Sequence, residues 1–162
     1  MTARPDAGAF RAAAARFLTG VTVVTSLGPD GTPVGATVNS FTTVSTKPPT
    51  VLISLMHGRT WQAVAASGLY VANVLEAADS ALCRHFGGTS TRGHEPAIDI
   101  VDGFPVLPNA IARFACRVSR SHDIADHTLF IGEVCRCEHR SGAPLAFYES
   151  RFRHGIGAAI EM

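Results

Sequence analysis

The segment 37–46 carries more hydrogen-bonding side chains than an ordinary core strand requires. Six of its ten residues are serine or threonine, and Asn39 adds an amide. If the segment is one extended strand, alternate residues face opposite sides, and neither side is uniformly apolar. Hydroxyl and amide groups mixed with Val38 and Phe41 suit a planar ring with polar edges and a phosphate tail. The alternative is a sheet strand whose threonines serve β-propensity alone, and the spacing favours neither.

His127 is a second candidate centre because it lies between Asp126 and Thr128 at the start of a predicted strand. A neighbouring carboxylate can fix the tautomer of a histidine, which prepares the ring to orient a substrate. The alternative is a solvent-facing loop histidine beside an aspartate, which is a common arrangement. On the residues alone we favour that alternative.

Other chemistries lack their sequence signals. The chain has no Gly-x-Ser-x-Gly motif for a hydrolase nucleophile and no glycine fingerprint of a Rossmann fold. Its other histidines show no metal-ligand spacing. A single residue, Arg136, separates Cys135 from Cys137, whereas metal-binding pairs usually have a two-residue spacer and a second pair. We therefore expect these two cysteines to be small buried hydrophobic side chains.

The composition indicates one globular domain, 1–162. Hydrophobic residues make up 46% and charged residues 17%, so some apolar surface should meet a ligand or a second copy of the chain. The net charge of +1 and the scattered arginines give no footprint for nucleic acid. No apolar run approaches the ~20 residues of a membrane helix, and no apolar signal core is present. We expect a soluble, cytoplasmic protein.

The elements that must position the candidate residues are mostly strands. Strands are predicted at 21–26, 34–44, 50–55, 69–75, 110–121, 128–138 and 144–148. Helices are predicted at 6–18, 60–66 and 78–86, with a loop over 87–103. Most strands follow one another without an intervening helix, which disfavours a doubly wound parallel sheet. The pattern therefore favours an antiparallel barrel with short peripheral helices.

Five segments occur in the order typical of the short-chain flavin reductase family, which this chain resembles from about Phe10 to Tyr148. The segments are 17–25, 35–45 with the prolines at 48–49, 67–75, 103–107 and 126–134. Proteins of this family adopt the FMN-binding split β-barrel. The resemblance thus implies a mainly β, antiparallel split barrel with short peripheral helices.

The resemblance also implies an activity. The expected reaction is hydride transfer from NADH or NADPH to FMN or FAD, with the reduced flavin supplied to an oxygenase component. A homodimer is the usual assembly of this barrel family. Two alternatives remain open: an oxidase of the pyridoxamine-phosphate type that retains FMN, and a non-catalytic flavin carrier or redox sensor.

Site residues are carried over from the family by position. The residues expected to contact flavin are Thr37, Val38, Asn39, Ser40, Val44, Ser45, Ile53, Ser54, Leu55, His57, Thr60, Phe86 and Gly87. His127 is expected beside the nicotinamide. Thr60 opens a predicted helix, where free N–H groups favour phosphate, and it is also a candidate N-cap. The turn after Phe86 lacks the lysine common in the family, and Arg92 is the candidate replacement.

Overall fold

A computed structural model of the chain describes residues 4–88 and 95–157, so Arg92 lies outside the described residues. The helices of the described part are α1 Ala7–Ala14, α2 Arg59–Ser67 and α3 Ser80–Phe86, and a 3-10 turn at Ala77–Asp79 precedes α3. Its strands are β1 Thr19–Gly20, β2 Thr22–Leu27, β3 Pro33–Val38, β4 Thr42–Thr46, β5 Pro49–Met56, β6 Leu69–Val74, β7 Asp99–Val101, β8 Phe104–Val106, β9 Ala112–Ile124, β10 His127–His139, β11 Leu145–Tyr148 and β12 Arg151–His154.

The main sheet has seven strands in the order β3-β2-β6-β9-β10-β5-β4, and every neighbouring pair is antiparallel. A second sheet contains β1, β11 and β12, and β7 pairs with β8. The prediction of a mainly β protein with few helices is confirmed. Among the described strands, β3 and β4 form the two edges of the main sheet and do not pair with each other. Hydrogen bonding therefore leaves this sheet open.

The main sheet curves around the largest of its buried clusters. Three strands lie between β2 and β5 in the sheet, yet Val24 and Ile53 belong to the same buried cluster. Alternate residues of β5 are buried, as expected for a strand with one face on the core. The apolar run at 50–55 is typical of a strand buried on both faces, but Leu52 and Ser54 on the other face of β5 are only half-buried.

The predicted strand 34–44 is interrupted at 39–41, where the chain crosses from one edge of the sheet to the other. Strand β3 ends at Val38 and β4 begins at Thr42. Between them the Ser40 hydroxyl donates to the Ser54 carbonyl at 2.9 Å and accepts from the Ser54 N–H at 3.0 Å. The Ser40 side chain thus takes the place of a backbone partner for Ser54. The segment 37–46 is therefore not one continuous strand, and its side chains do not alternate regularly between two faces.

Helix α1 is shorter than predicted, and α2 starts earlier. The carbonyl of Ala15 accepts from the Glu149 N–H at 2.9 Å, so the chain leaves the helix there instead of continuing to residue 18. Helix α2 starts at Arg59 with Gly58 as its N-cap, so Thr60 lies inside the helix and is not the cap. The predicted loop 87–103 also contains a short strand, β7, within its described part.

The cysteine pair is exposed, which contradicts the expectation of burial. Strand β10 pairs with β5 only as far as Glu133, so Cys135 and Cys137 lie beyond the end of that neighbour. A β-bulge between Val134 and Arg136 further disrupts the regular pairing with β9. Both thiols are free.

Candidate functional site

A cleft of about 450 Å³ lies where β3, the crossing at 39–41, the end of β5 and the start of α2 meet, a size within the range of small-molecule sites. Residues from the end of α3 and the start of β10 complete its wall. The lining consists of Gly35, Ala36, Thr37, Val38, Asn39, Ser40, Ser54, Leu55, Met56, His57, Gly58, Arg59, Thr60, Trp61, Phe86, Gly87 and His127.

All the predicted site residues line this cleft except Val44, Ser45 and Ile53. Val44 and Ser45 line a shallow groove on another part of the surface, because the crossing at 39–41 carries the chain to the opposite sheet edge. Ile53 is fully buried and faces the core. In this segment the cleft wall therefore ends at Ser40.

Two hydroxyl groups fix the frame of the polar wall. The Thr37 hydroxyl donates to the Cys83 carbonyl at 2.8 Å, which ties β3 to α3. The Ser40 hydroxyl is held by both backbone groups of Ser54. Within residues 4–88 and 95–157 no group hydrogen-bonds the Asn39 amide, which lines the cleft and is exposed. That amide is the part of the wall that is available to a ligand.

The Phe86 ring packs directly on the backbone of β3. A Cβ atom built on Gly35 would lie 2.7 Å from Cδ1 and 2.8 Å from Cε1 of that ring. Only glycine leaves room for this contact, since real Cβ atoms do not approach so closely. Gly35 was not singled out in the sequence, because the approach joins two elements about fifty residues apart.

The end of β5 offers backbone groups to the cleft. Backbone N–H and C=O groups alternate sides along a strand, and those of Ser54 point toward the crossing. The His57 N–H points the other way and donates to the Asp126 carbonyl at 3.2 Å. By the same alternation the N–H and C=O of Met56 face the cleft. The crossing at 39–41 meets β5 at Ser54 and provides no partner for these two groups of Met56.

The start of α2 is built to favour an anion. The first N–H groups of a helix have no partner within it, and the N-cap Gly58 supplies no side-chain bond. Arg59 is the only arginine or lysine in the lining formed by described residues. A cation beside the positive end of a helix is otherwise unfavourable, so a negatively charged ligand would satisfy both groups. Sequence reasoning missed Arg59, although its position just before the predicted helix was a usable signal.

The buried residue Thr128 is the centre of a hydrogen-bond network that connects the start of α2 to β9 and β10. The Trp61 indole N–H donates to the Thr128 hydroxyl at 2.7 Å, and that hydroxyl donates to Asp123 Oδ1 at 2.6 Å. His57 Nε2 lies 3.3 Å from the same hydroxyl. Because the single hydroxyl proton goes to Asp123, His57 must be the donor and carries its proton on Nε2.

His127 lies half-buried at the rim of the same cleft. Its Nδ1 lies 2.8 Å from Asp126 Oδ1, and this hydrogen bond is the main reason why the pKa of the Asp126 carboxyl is below its usual value. In the neutral ring this contact places the proton on Nδ1 and leaves Nε2 as an acceptor. His127 thus belongs to strand β10 and not to a loop, and its ring lies beside the cleft with its orientation fixed by Asp126.

The described residues contain no group of three His, Cys, Asp or Glu placed to hold a metal ion. No helix among them has the length and apolar character that a membrane crossing requires.

Residues 14–155 match the family model described as a flavin reductase like domain, and the chain belongs to that family. The resemblance noted in the sequence is thereby confirmed. The chain is 41% identical over 145 residues to FMN reductase (NADH) SmoA of Agrobacterium fabrum, covering 88% of this chain and 83% of that protein.

Solved structures agree with this assignment. The styrene monooxygenase flavin reductase from Pseudomonas putida S12 is 34% identical, with a TM-score of 0.87 over 93% of this chain and 99% of that one. The NADH:FAD oxidoreductase of Streptomyces globisporus C-1027, in complex with NAD and FAD fragments, is 32% identical, with a TM-score of 0.84 over 96% of each chain.

Proposed function

We propose that this chain is an NADH-dependent flavin reductase that reduces FMN or FAD and supplies the product to a separate monooxygenase component. The observation that carries the proposal is one cleft that joins an anion-binding helix start, an open strand edge and an oriented histidine. The relatives support it, because they are described as NADH-dependent reductases of FMN or FAD and as the flavin reductase of a monooxygenase.

The residues of the cleft fit a flavin. The start of α2 with Arg59 and Thr60 suits the phosphate, since both free N–H groups and a guanidinium are present there. The Asn39 amide and the backbone groups of Met56 suit the polar edges of the ring system. A flavin held by these residues would supply the redox chemistry as the hydride acceptor.

The protein has to align the two ring systems and needs no strong acid or base of its own. Alignment requires the reacting atoms to approach within ~3–3.5 Å. His127, with Nδ1 bound to Asp126, presents Nε2 to the co-substrate. The Met56 N–H, on the cleft side of β5, would stabilise negative charge on the polar edge of the ring.

Several finer features belong to the same proposal. The open, curved main sheet is what a split β-barrel would show, and the single domain would span 1–162. Large apolar side chains are exposed, including Phe17 at 75% and Ile156 at 70%, which favours a homodimer. Use of NADH and four free cysteines favour a cytoplasmic location. An apparent mass near 17.1 kDa, the mass of one chain, in size-exclusion chromatography would rule out the dimer.

The activity test mixes the purified protein with FMN or FAD and follows NADH or NADPH oxidation at 340 nm. We expect oxidation with NADH and both flavins, and rates equal to the no-protein control in every combination would overturn the proposal. Flavin binding without oxidation would identify a carrier. Turnover of pyridoxamine phosphate by a flavin that stays bound through gel filtration would identify the oxidase.

A further inference from the structure

The start of α2 and the β9–β10 hairpin are joined through Thr128, which is 2% exposed. Its hydroxyl accepts the Trp61 indole N–H at 2.7 Å and donates to Asp123 at 2.6 Å, across the strand pair. The third contact is with His57 Nε2 at 3.3 Å. A hydroxyl has one proton and two lone pairs, so all of its hydrogen-bonding capacity is used.

The two elements that this hydroxyl joins carry opposite ends of the cleft. Trp61 follows Arg59 and Thr60 on α2, where the anion-binding groups lie. Thr128 follows His127 on β10, and neighbouring residues of a strand face opposite sides. Thr128 therefore points into the protein while His127 faces the cleft rim, and the Thr128 hydroxyl links the elements that carry the two ends of the cleft.

We propose that Thr128, oriented by Asp123, is a positioning residue that sets His127 relative to the anion-binding start of α2. This inference rests on the proposed function, since it assigns the residue to alignment of nicotinamide with flavin. Asp123 takes the hydroxyl proton and so forces the hydroxyl to accept from both Trp61 and His57. Neither Thr128 nor Asp123 lines the cleft, so both act through the groups they hold.

The test compares Thr128→Val, which keeps the shape and removes the hydroxyl, with Thr128→Ser, which keeps it. We expect kcat/KM for NADH to fall on the order of tenfold in T128V, because small misplacements of reacting groups are costly. T128S should recover most of it. Ser119→Ala is the matched control, since it removes another hydroxyl bond between β9 and β10, to the Ile131 carbonyl, on the exposed part of the hairpin.

Fluorescence gives a readout that general destabilisation would not produce. Trp61 is the only tryptophan in the chain, so its emission reports directly on this network. Loss of the acceptor should shift the emission to shorter wavelength in T128V, while T128S and S119A keep the wild-type spectrum. Flavin titrated against the same signal gives its Kd for every variant.

The outcomes separate this inference from the proposed function. A wild-type protein that oxidises no NADH refutes the function, whereas an active wild type with unchanged kcat/KM and emission in T128V refutes the inference alone. If T128V does not fold, Asp123→Ala provides the test at an exposed position. It should lower kcat/KM for NADH severalfold, and a wild-type value would overturn the inference.

Discussion

Replacement of Arg59 by alanine should weaken flavin binding in a way that depends on the phosphate. Arg59 is the only arginine or lysine among the described residues that line the cleft, and it occupies the first position of α2. The guanidinium can add a charge-assisted hydrogen bond to the phosphate, beyond what the helix N–H groups provide. Arg59→Ala removes this bond and leaves the helix start intact.

The size of the effect follows from the exposure of this site. A hydrogen bond to a charged group contributes ~1.5–3 kcal/mol, and because Arg59 is exposed to solvent the lower end applies. At 1.4 kcal/mol per factor of ten, the Kd for FMN should rise roughly 10- to 30-fold. Riboflavin has no phosphate, so its Kd should not change.

Quenching of Trp61 fluorescence measures both dissociation constants, because this side chain lines the same cleft. Arg59→Lys is the control that retains the charge and should lie between the wild type and R59A. The difference between FMN and riboflavin should also shrink at high salt, which screens exposed charges. An equal loss of affinity for FMN and riboflavin, or none for either, would refute the placement of the phosphate at α2.

Three further changes test other parts of the structure. Gly35→Ala should displace the Phe86 ring and cost about 1–3 kcal/mol in the free energy of unfolding, together with a higher flavin Kd. His127→Ala should raise KM for NADH and leave the flavin Kd within about twofold in a fluorescence titration, since the ring is assigned to the nicotinamide side. Tyr70→Phe should be neutral or stabilising by about 1 kcal/mol in urea unfolding, because the Tyr70 hydroxyl, whose pKa is raised by burial, has only the weak acceptor Cys116 Sγ beside it among the described residues.

Each of these changes has a result that would count against it. Wild-type stability in G35A would mean that Phe86 does not rest on β3. A large rise of the flavin Kd in H127A, with KM for NADH unchanged, would reverse its assignment. A loss of several kcal/mol in Y70F would show that the hydroxyl has a strong partner after all.

Local pattern and ordered motifs were enough to predict the strand-rich fold and most of the cleft lining. The hydroxyl-rich segment that begins at Thr37 does face the cleft, and so does His127. Its continuation through Val44 and Ser45 was misplaced, because nothing local in the sequence marks the crossing at 39–41. That crossing depends on Ser40 meeting Ser54, a contact fourteen residues away in the chain.

The remaining misses also come from tertiary context. Cys135 and Cys137 follow a strand pattern that suggests burial, but exposure is decided by where β5 ends beside β10. The Thr128 network brings together residues from α2, β9, β10 and the turn before α2 that are up to 71 positions apart. Hydrophobic periodicity and residue propensity describe one helix or strand at a time. Contacts between distant elements can therefore be identified only from the packed structure.

The double hydrogen bond of Ser40 has a consequence for how the protein avoids self-association. An unpaired strand edge can recruit a strand of another molecule, and β5 would present such an edge beyond Leu52. Ser40 blocks that edge at Ser54 with a side chain, which cannot be extended into a ladder. What remains open is one residue, Met56, and a bound ligand would cover it. A single open position is too short to pair with a strand of another molecule, so this backbone is left accessible to a small ligand but not to a second chain.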